Sequence, residues 1–335
     1  MENKEYMLID GNPVEINGEK NLLEVIRKAG IELPTFCYHS ELSVYGACRM
    51  CMVENSHGGM EAACSTVPKA GMEIYTNTER LHKHRKMILE LLLANHCRDC
   101  TTCQKNGKCR LQELASLFGL ESIRFKNLKP EPELDTSSLS IIRDAHKCIL
   151  CGDCVRMCNE IQNVGAIDFV NRGSKMVIGP AFNEPIANSP CVGCGQCAAV
   201  CPTGAIVIRK DTGRVWPELN DKNTKVVAQV APAVRVAMAK EFGLPENENS
   251  MGRITAALRR LGFDEVYDTA TGADLTVLEE SNEFLQRIEA GENLPLITSC
   301  CPAWAKMWSF CRTSTPTTAI TAASAKVPTS TTGPT

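Results

Sequence analysis

Apolar side chains in the first hundred residues change from strand-like to helix-like spacing. Residues 6–16 predict two short strands joined by a Gly-Asn-Pro turn. Residues 21–29 place apolar side chains at helical spacing, and residues 81–93 predict a longer, strongly apolar helix. The first turns of that second helix have the sequence RLHKHRK, which we expect to be solvated.

Strand and helix patterns alternate after residue 222. Strands are predicted at the start of 225–243, at 264–267 and at 294–299, and helices at the end of 225–243, at 252–261 and at 273–288. Such alternation predicts an α/β layer. Cys300 and Cys301 follow the last predicted strand, and strand ends are where such sheets place active sites.

Length and charge narrow the class of protein. A chain of 335 residues is long enough for two or more domains. Its 36 basic and 39 acidic residues give a net charge of −3, which indicates neither nucleic-acid nor membrane-surface binding. Because the sequence has no long apolar run and no leader-like start, we expect a cytoplasmic protein.

The composition is unusual in its high number of cysteines. There are 19 cysteines, an odd number, and many of them lie in tight C-x2-C runs. Disulfide-rich proteins are secreted, and no export signal is seen, so metal-bound thiolates fit better than disulfides. Fifteen of the cysteines and one histidine sort into four ligand sets.

The first ligand set follows the two predicted strands and the short helix. It has the spacing C-x10-C-x2-C-x12-C and comprises Cys37, Cys48, Cys51 and Cys64. The order of elements resembles a β-grasp ferredoxin with a 2Fe-2S cluster, although plant-type ferredoxins have the shorter spacing C-x4-C-x2-C. The longer gap resembles the N-terminal domain of the large iron–sulfur subunit of respiratory complex I and of modular hydrogenases. A four-cysteine zinc site is the alternative.

The second ligand set mixes histidine with cysteine. It comprises His96, Cys100, Cys103 and Cys109. By itself the spacing H-x3-C-x2-C-x5-C allows either zinc or a 4Fe-4S cluster. The surrounding sequence is similar to the histidine-ligated 4Fe-4S site of the same two families, which implies His96 as the ligand and leaves Cys97 without a role. A neutral imidazole in place of a thiolate should raise the cluster potential.

The third and fourth sets come from two copies of C-x2-C-x2-C-x3-C, the signature of bacterial two-cluster ferredoxins. In such folds the fourth cysteine of each run ligates the other cluster. The predicted groups are Cys148, Cys151, Cys154 and Cys201 for one 4Fe-4S cluster, and Cys191, Cys194, Cys197 and Cys158 for the other. Thioredoxin-type chemistry is the alternative, and eight cysteines in this register disfavour it.

The sequence TSCCPAW at 298–304 gives a weaker signal for catalysis. Together with KVVAQVAPAVRVA and VYDTATGADLT it resembles the first third of the catalytic domain of iron-only (FeFe) hydrogenases. The resemblance implies that Cys301 ligates the active-site cluster, that Cys300 relays protons, and that the family's reaction is reversible proton reduction. Formate dehydrogenases and complex I large subunits share the cluster arm, and a non-catalytic electron-transfer subunit of that kind is the alternative function.

The end of the sequence departs from the hydrogenase pattern. The family's catalytic domain has three further ligand cysteines, whereas only Cys311 follows Cys301 here. Residues 313–335 are rich in Thr, Ser, Pro and Ala, which predicts a disordered tail or a frameshifted or truncated gene product. We therefore expect this chain to transfer electrons without turning over hydrogen.

The predicted fold is an α+β multidomain iron–sulfur protein. Its expected parts are a β-grasp 2Fe-2S domain at 1–78, a helical His/Cys3 domain at 79–119, a two-cluster 4Fe-4S ferredoxin domain at 138–210, an α/β hydrogenase fragment at 222–311 and a low-complexity tail at 312–335. The expected cofactors are one 2Fe-2S and three 4Fe-4S clusters. The resemblance implies ferredoxin, or an NAD(P)H-oxidising flavoprotein and a small 2Fe-2S subunit, as partners.

Overall fold

The structure is a computed structural model that describes residues 5–129, 134–245, 248–301 and 303–306. The chain divides into two units, residues 1–209 and 210–335. All four predicted ligand sets lie in the first unit, and Cys300 and Cys301 lie in the second. Within the described residues, no helix has the length and apolar character needed to span a membrane.

The first unit begins with a five-stranded sheet of order β2-β1-β5-β3-β4. Its strands are β1 (Glu5–Ile9), β2 (Asn12–Ile16), β3 (Met52–Asn55), β4 (Met60–Ala62) and β5 (Glu73–Tyr75). Strand β1 pairs parallel with β5, and the other pairs are antiparallel. The order is that of a β-grasp fold, as the sequence predicts.

The turn between β1 and β2 lies earlier than predicted. Asp10 and Gly11 both adopt left-handed conformations, with φ of 49° and 81°. Two such residues make the type I′ turn that suits the twist of a hairpin. The predicted Gly-Asn-Pro turn is therefore wrong, because Asn12 and Pro13 already belong to β2. Pro13 is tolerated there because β2 is an edge strand.

Helix α1 (Leu22–Lys28) packs against this sheet. The side chain of Asn21 caps the helix by accepting a hydrogen bond from the Glu24 amide at 3.1 Å. The buried face of the helix joins a core of strand residues and the first turn of the next helix: Met7, Ile9, Leu22, Leu23, Val25, Ile26, Val53, Ile74 and Leu81. Apolar burial on this face explains why the short helix is stable.

Helix α2 (Glu79–Ala94) begins at the cap Thr78, and helix α3 (Arg110–Leu117) follows the second ligand set. The expectation of a solvated RLHKHRK segment is only partly right, because Arg85 is 3% exposed. Its guanidinium donates to the carbonyl oxygens of Met50, Met52 and Thr76 at 3.2, 2.8 and 2.9 Å. Arg85 thus ties α2 to the loop that carries Cys51.

Residues 134–209 form two small antiparallel sheets and two short helices. The elements are β6 (Ile141–Arg143), α4 (Asp153–Arg156), β7 (Asp168–Val170), β8 (Val177–Gly179), α5 (Gln196–Val200) and β9 (Ile206–Ile208). Strand β6 pairs with β9, and β7 pairs with β8. The last turns after α4, Met157–Ile161, widen to a π-helix. Each cysteine run is followed by a short strand, as the sequence repeat indicates.

The second unit contains a parallel pair of strands and four helices in its described part. These are α6 (Thr212–Asn220), β10 (Val227–Val230), α7 (Pro232–Glu241), α8 (Met251–Leu261), β11 (Glu265–Asp268) and α9 (Thr269–Ala290). Helix α6 was not predicted. The strand predicted at 294–299 is wrong, because this segment forms no ladder with either strand. An apolar run becomes a strand only where a neighbour satisfies its backbone groups.

Replacing Arg85 by methionine tests the hydrogen bonds that connect α2 to the Cys51 loop. The change would leave three carbonyl groups without their donor, and each buried unsatisfied group costs roughly 1–3 kcal/mol. We expect the free energy of unfolding, measured by urea denaturation, to fall by about 3 kcal/mol or more. The matched control is Arg80→Met, since the exposed Arg80–Glu54 pair is worth less than about 1 kcal/mol. Equal losses in the two variants would contradict the assignment.

Candidate metal centres

The first ligand set lies at the edge of the β-grasp core. Cys37, Cys51 and Cys64 are buried and Cys48 is half-buried. The Cys37 sulfur accepts from the Cys48 amide at 3.3 Å, and the Cys48 sulfur accepts from the Phe36 amide at 3.4 Å. The Cys37 thiol lowers the pKa of Cys48 to about 6 by donating a hydrogen bond to it. Peptide donors aimed at sulfur suit a site that binds thiolates.

Cys51 and Cys64 form a second close pair in the same set. A side-chain hydrogen bond from Cys64 lowers the pKa of Cys51, and the same contact raises the pKa of Cys64. The pKa of Cys51 is also influenced by the charge of Cys48, which places the two pairs near each other. The four sulfurs that the sequence grouped therefore come together, although Cys37 and Cys64 are far apart in the chain.

The second set is marked by an orphaned nitrogen. His96 is 9% exposed, and its Nε2 atom is buried without a hydrogen-bond partner in the described part of the chain. Burial lowers the pKa of His96 to about 4, with a further contribution from Lys129, so the ring is neutral. A buried, neutral imidazole nitrogen without a partner fits a metal ligand.

The other ring nitrogen of His96 has a defined partner. Its Nδ1 accepts a hydrogen bond from the Arg98 amide at 3.1 Å. A ligating histidine normally donates from its second nitrogen, so a metal at Nε2 would require this contact to change. Cys97, which the sequence left without a role, places its sulfur 4.0 Å from the same Nδ1 atom.

The third and fourth sets surround two separate cavities. One has a volume of about 20 Å³, and Cys148, Cys151, Cys154 and Cys201 are among its lining residues. The other has a volume of about 20 Å³, and its lining residues include Cys158, Cys191, Cys194 and Cys197. The fourth cysteine of each run thus faces the three cysteines of the other run. These are the two groups that the sequence predicts.

Burial makes these cysteines poor acids until a metal binds them. It raises the pKa of the Cys197 thiol to about 12 and raises the pKa of Cys151 and Cys154 well above the ordinary value. A bound metal cation would stabilise the thiolates in such surroundings. Within the described residues, no group of three or more ligand side chains is arranged to hold a single metal ion.

The cavity lined by Cys148 and Cys201 has neighbours on two sides. Cys151 packs in the same apolar cluster as Cys37 and Cys48 of the first set. On the second-set side, Gly204 approaches Cys103 so closely that a Cβ atom would lie 2.5 Å from its sulfur. The Arg110 amide, next to Cys109, also donates to the Pro202 carbonyl at 3.0 Å. The third set is therefore adjacent to both the first and the second.

The structure places three cations at ligand loops that the sequence did not reveal, the half-buried Lys129 and the buried Arg156 and Arg85. Lys129 donates to the Cys148 carbonyl at 2.6 Å, and burial lowers its pKa. Arg156 donates to the Cys37 carbonyl at 3.0 Å. With Arg85, these cations place positive charge beside groups that would carry negative charge. Lysine and arginine are common on surfaces, so no sequence signal separated these three from the rest.

Cys300 and Cys301 are not gathered with other ligands in the described residues. Both are exposed, and the Cys301 sulfur accepts from the Trp304 amide at 3.5 Å. Cys311 lies outside the described residues. The eighteen cysteines within them are all free thiols.

Family comparisons match four segments of the chain. Residues 6–79 match a 2Fe-2S iron-sulfur cluster binding domain, and residues 85–124 match the NADH-ubiquinone oxidoreductase-G iron-sulfur binding region. Residues 147–214 match a 4Fe-4S dicluster domain. Residues 224–335 match the C-terminal domain of the iron only hydrogenase large subunit. The fold and the sites thus define a modular iron–sulfur oxidoreductase.

Two hydrogenases align with most of the chain. The NADP-reducing hydrogenase subunit HndD of Solidesulfovibrio fructosivorans is 39% identical over 90% of the chain. Iron hydrogenase 1 of Clostridium pasteurianum is 30% identical over the same share. The chain is thus similar to these hydrogenase proteins along most of its own length. It spans about half the length of these relatives, 53% of each.

Two further similarities each cover about three-fifths of the chain. The G 2 subunit of NADH-quinone oxidoreductase from Rhizobium meliloti is 37% identical over 59% of the chain and 23% of that protein. A crystal structure of an NAD+-reducing [NiFe]-hydrogenase matches with a TM-score of 0.57 and 28% identity, over 61% of this chain and 87% of that one. Part of the chain therefore resembles several redox enzymes.

Replacing Gly204 by alanine tests the contact between the second and third sets. The new Cβ atom would lie 2.5 Å from the Cys103 sulfur, so that sulfur would have to move. We expect loss of the second cluster alone, measured as about four fewer iron atoms per chain. The control is Gly213→Ala, where nothing lies within 4 Å of the added atom. An unchanged iron content would contradict the contact.

Proposed function

We propose that this chain is an electron-transfer arm that holds one 2Fe-2S and three 4Fe-4S clusters and serves a hydrogenase active site. The observation that carries the proposal is the crossed arrangement of eight cysteines around two cavities. Such crossing is characteristic of proteins that keep two clusters close together. The clusters, when bound, supply one-electron transfer.

The residues of the first unit would hold each cluster in a distinct environment. The first set provides buried thiols with peptide donors on sulfur, and the second provides His96 and three half-buried cysteines. A neutral histidine carries no negative charge, so this site would favour the reduced state more than a four-thiolate site. Cys194 is exposed, which gives the fourth set the most solvent contact of the four.

The contacts among the sets support a branched route. The first and second sets each adjoin the third, and the third shares its ligand runs with the fourth. Electrons entering at either of the first two sets would converge on the third and continue to the fourth. An electron donor could therefore deliver electrons at either the first or the second set, and both routes would share the third and fourth clusters.

The hydrogenase assignment depends on the second unit. The match of residues 224–335 to the hydrogenase domain supports Cys301 as an active-site ligand and Cys300 as a proton relay. The family reaction is reversible proton reduction. The partners we propose are ferredoxin, or an NAD(P)H-oxidising flavoprotein and a small 2Fe-2S subunit, since one relative is named an NADP-reducing hydrogenase subunit. We place the chain in the cytoplasm, where such partners operate.

A non-catalytic subunit is the second candidate function. The similarity to the G 2 subunit of NADH-quinone oxidoreductase favours it, together with the match of residues 85–124 to the NADH-ubiquinone oxidoreductase-G iron-sulfur binding region. The discriminating part is the second unit, where the hydrogenase domain matches. For the 335-residue chain itself we expect cluster reduction by dithionite without hydrogen evolution, because Cys300 and Cys301 lie exposed with no further ligand gathered among the described residues. Hydrogen evolution by this chain would refute that expectation.

Iron counts on paired variants test the cluster assignments. The loaded chain should contain about fourteen iron atoms, two from one cluster and twelve from three. Cys158→Ala and Cys151→Ala lie in one run but line different cavities, so each should lose about four. The double variant should retain about six, whereas Cys158→Ala with Cys194→Ala should retain about ten.

The two double variants are each other's control, because both remove two cysteines. Equal iron contents would overturn the crossed assignment. Electron paramagnetic resonance (EPR) of the reduced protein checks that the iron is in clusters. A wild-type chain that takes up zinc in place of iron would overturn the whole proposal.

A further inference from the structure

The function proposed above does not explain why the gap between Cys37 and Cys48 is so long. Ten residues separate these cysteines, where plant-type ferredoxins have four. The structure shows that residues 38–47 lie against α4 and the turn that follows it. Helix α4 contains Cys154 and the turn after it contains Cys158, and these two cysteines line different cavities.

We propose that residues 38–47 are a docking loop, which fixes the separation between the first and third cluster sites, with Arg156 as its positioning residue. The inference rests on the proposed electron-transfer function and assigns a task to this loop within it. The transfer concerned moves one electron from a reduced 2Fe-2S group to an oxidised 4Fe-4S group. It makes and breaks no bond.

Arg156 provides the central contact of the docking loop. The residue is 8% exposed and lies on α4 two residues after Cys154 and two before Cys158. The Nη2 atom donates to the Cys37 carbonyl at 3.0 Å, and the Nη1 atom donates to the Ser43 carbonyl. One planar guanidinium therefore grips the loop at a ligand residue and again six residues later.

Asp153 fixes the guanidinium from the other side. Its Oδ1 atom accepts from Arg156 Nη2 at 2.5 Å within α4, and both side chains are buried. A buried ion pair costs desolvation, and such pairs serve geometry more clearly than stability. Asp153 therefore orients the arginine from within α4, independently of the loop, as a positioning residue requires.

Ser43 of the docking loop makes a second contact, with Glu160. The Glu160 carboxylate accepts from the Ser43 amide at 2.8 Å and from its hydroxyl at 2.5 Å. Glu160 lies in the turn after α4, two residues beyond Cys158. The loop is therefore attached to α4 through Arg156 and to the π-helical turn through Glu160.

Tyr45 makes the third contact, by packing. Its ring stacks on Phe169 with centroids 5.9 Å apart, and the Arg156 guanidinium lies 5.5 Å from the Tyr45 ring centroid. A Cβ atom on Gly152 would lie 3.2 Å from both rings. Because Gly152 follows Cys151 directly, the tyrosine rests on the ligand run of the third set.

Pulsed dipolar EPR on the loaded full-length chain tests the inference. The distance between the reduced first and third clusters should be narrowly distributed in the wild type. In Arg156→Lys, which keeps the charge but loses the two-point grip, we expect a broader and longer distribution. Freeze-quench EPR after dithionite addition should show slower electron equilibration between the two clusters in this variant.

The control is Arg124→Lys. Arg124 also pairs with a buried acidic side chain, Glu90, but both residues lie outside the docking loop and do not line either cysteine cavity. It should lose stability without a change in the cluster distance. Glu160→Gln supplies a milder variant if Arg156→Lys fails to fold, and it should also broaden the distribution because an amide oxygen accepts more weakly than a carboxylate.

The outcomes separate the two proposals. Wild-type distances and rates in Arg156→Lys or, if that variant does not fold, in Glu160→Gln, with all clusters present, would overturn the docking loop and leave the proposed function intact. An equal broadening in Arg124→Lys would overturn it as well, because the effect would then reflect general loosening. A wild-type chain without the 2Fe-2S signal would overturn the proposed function and the docking loop with it.

Discussion

The burial of sulfur ligands that must become negatively charged is the constraint on which the first unit depends. Buried charge is costly unless it is paired or hydrogen-bonded. The chain meets this cost with peptide donors on sulfur, as at Cys48, and with Arg85, Arg156 and Lys129 held on or beside ligand-loop carbonyls. Because burial raises the pKa of thiols such as Cys154, metal binding and completion of the fold are coupled. The unit is best regarded as a protein whose core includes its clusters.

Backbone conformation makes the two ferredoxin runs equivalent despite different side chains. The residue after the second cysteine of each run, Gly152 or Gly195, is left-handed with φ of 78° or 75° and begins a short helix. The residue before that cysteine is left-handed too, and here one run has Leu150 at 56° where the other has Gly193 at 70°. A leucine in this region costs on the order of 1 kcal/mol or more, so the surrounding loop must hold it there. The same backbone conformation in both runs, rather than the same side chains, therefore shapes the two cavities.

The sequence was most informative where chemistry restricts spacing. Cysteine runs predict the ligand groups because a cluster accepts few arrangements of four sulfurs, and each of the two cavities is lined by the cysteines of one predicted group. The sequence was least informative about contacts between distant segments. Nothing local distinguishes Arg85 from the exposed Arg80 one turn earlier, and nothing in residues 38–47 reveals Arg156 as their partner. Such contacts depend on how whole elements pack, which a periodicity does not encode.

The failed strand at 294–299 follows the same logic in the second unit. Its apolar run is compatible with a buried strand, but β10 and β11 pair with each other and no described strand lies beside it. Helix α9 is similar, since Leu275, Leu278 and Leu285 are 62%, 63% and 57% exposed. Apolar periodicity predicts an element that could be buried, and burial itself requires a partner surface. The first unit can be interpreted from its sequence because its ligands must meet one another, whereas the second depends on apolar contacts that impose no such spacing.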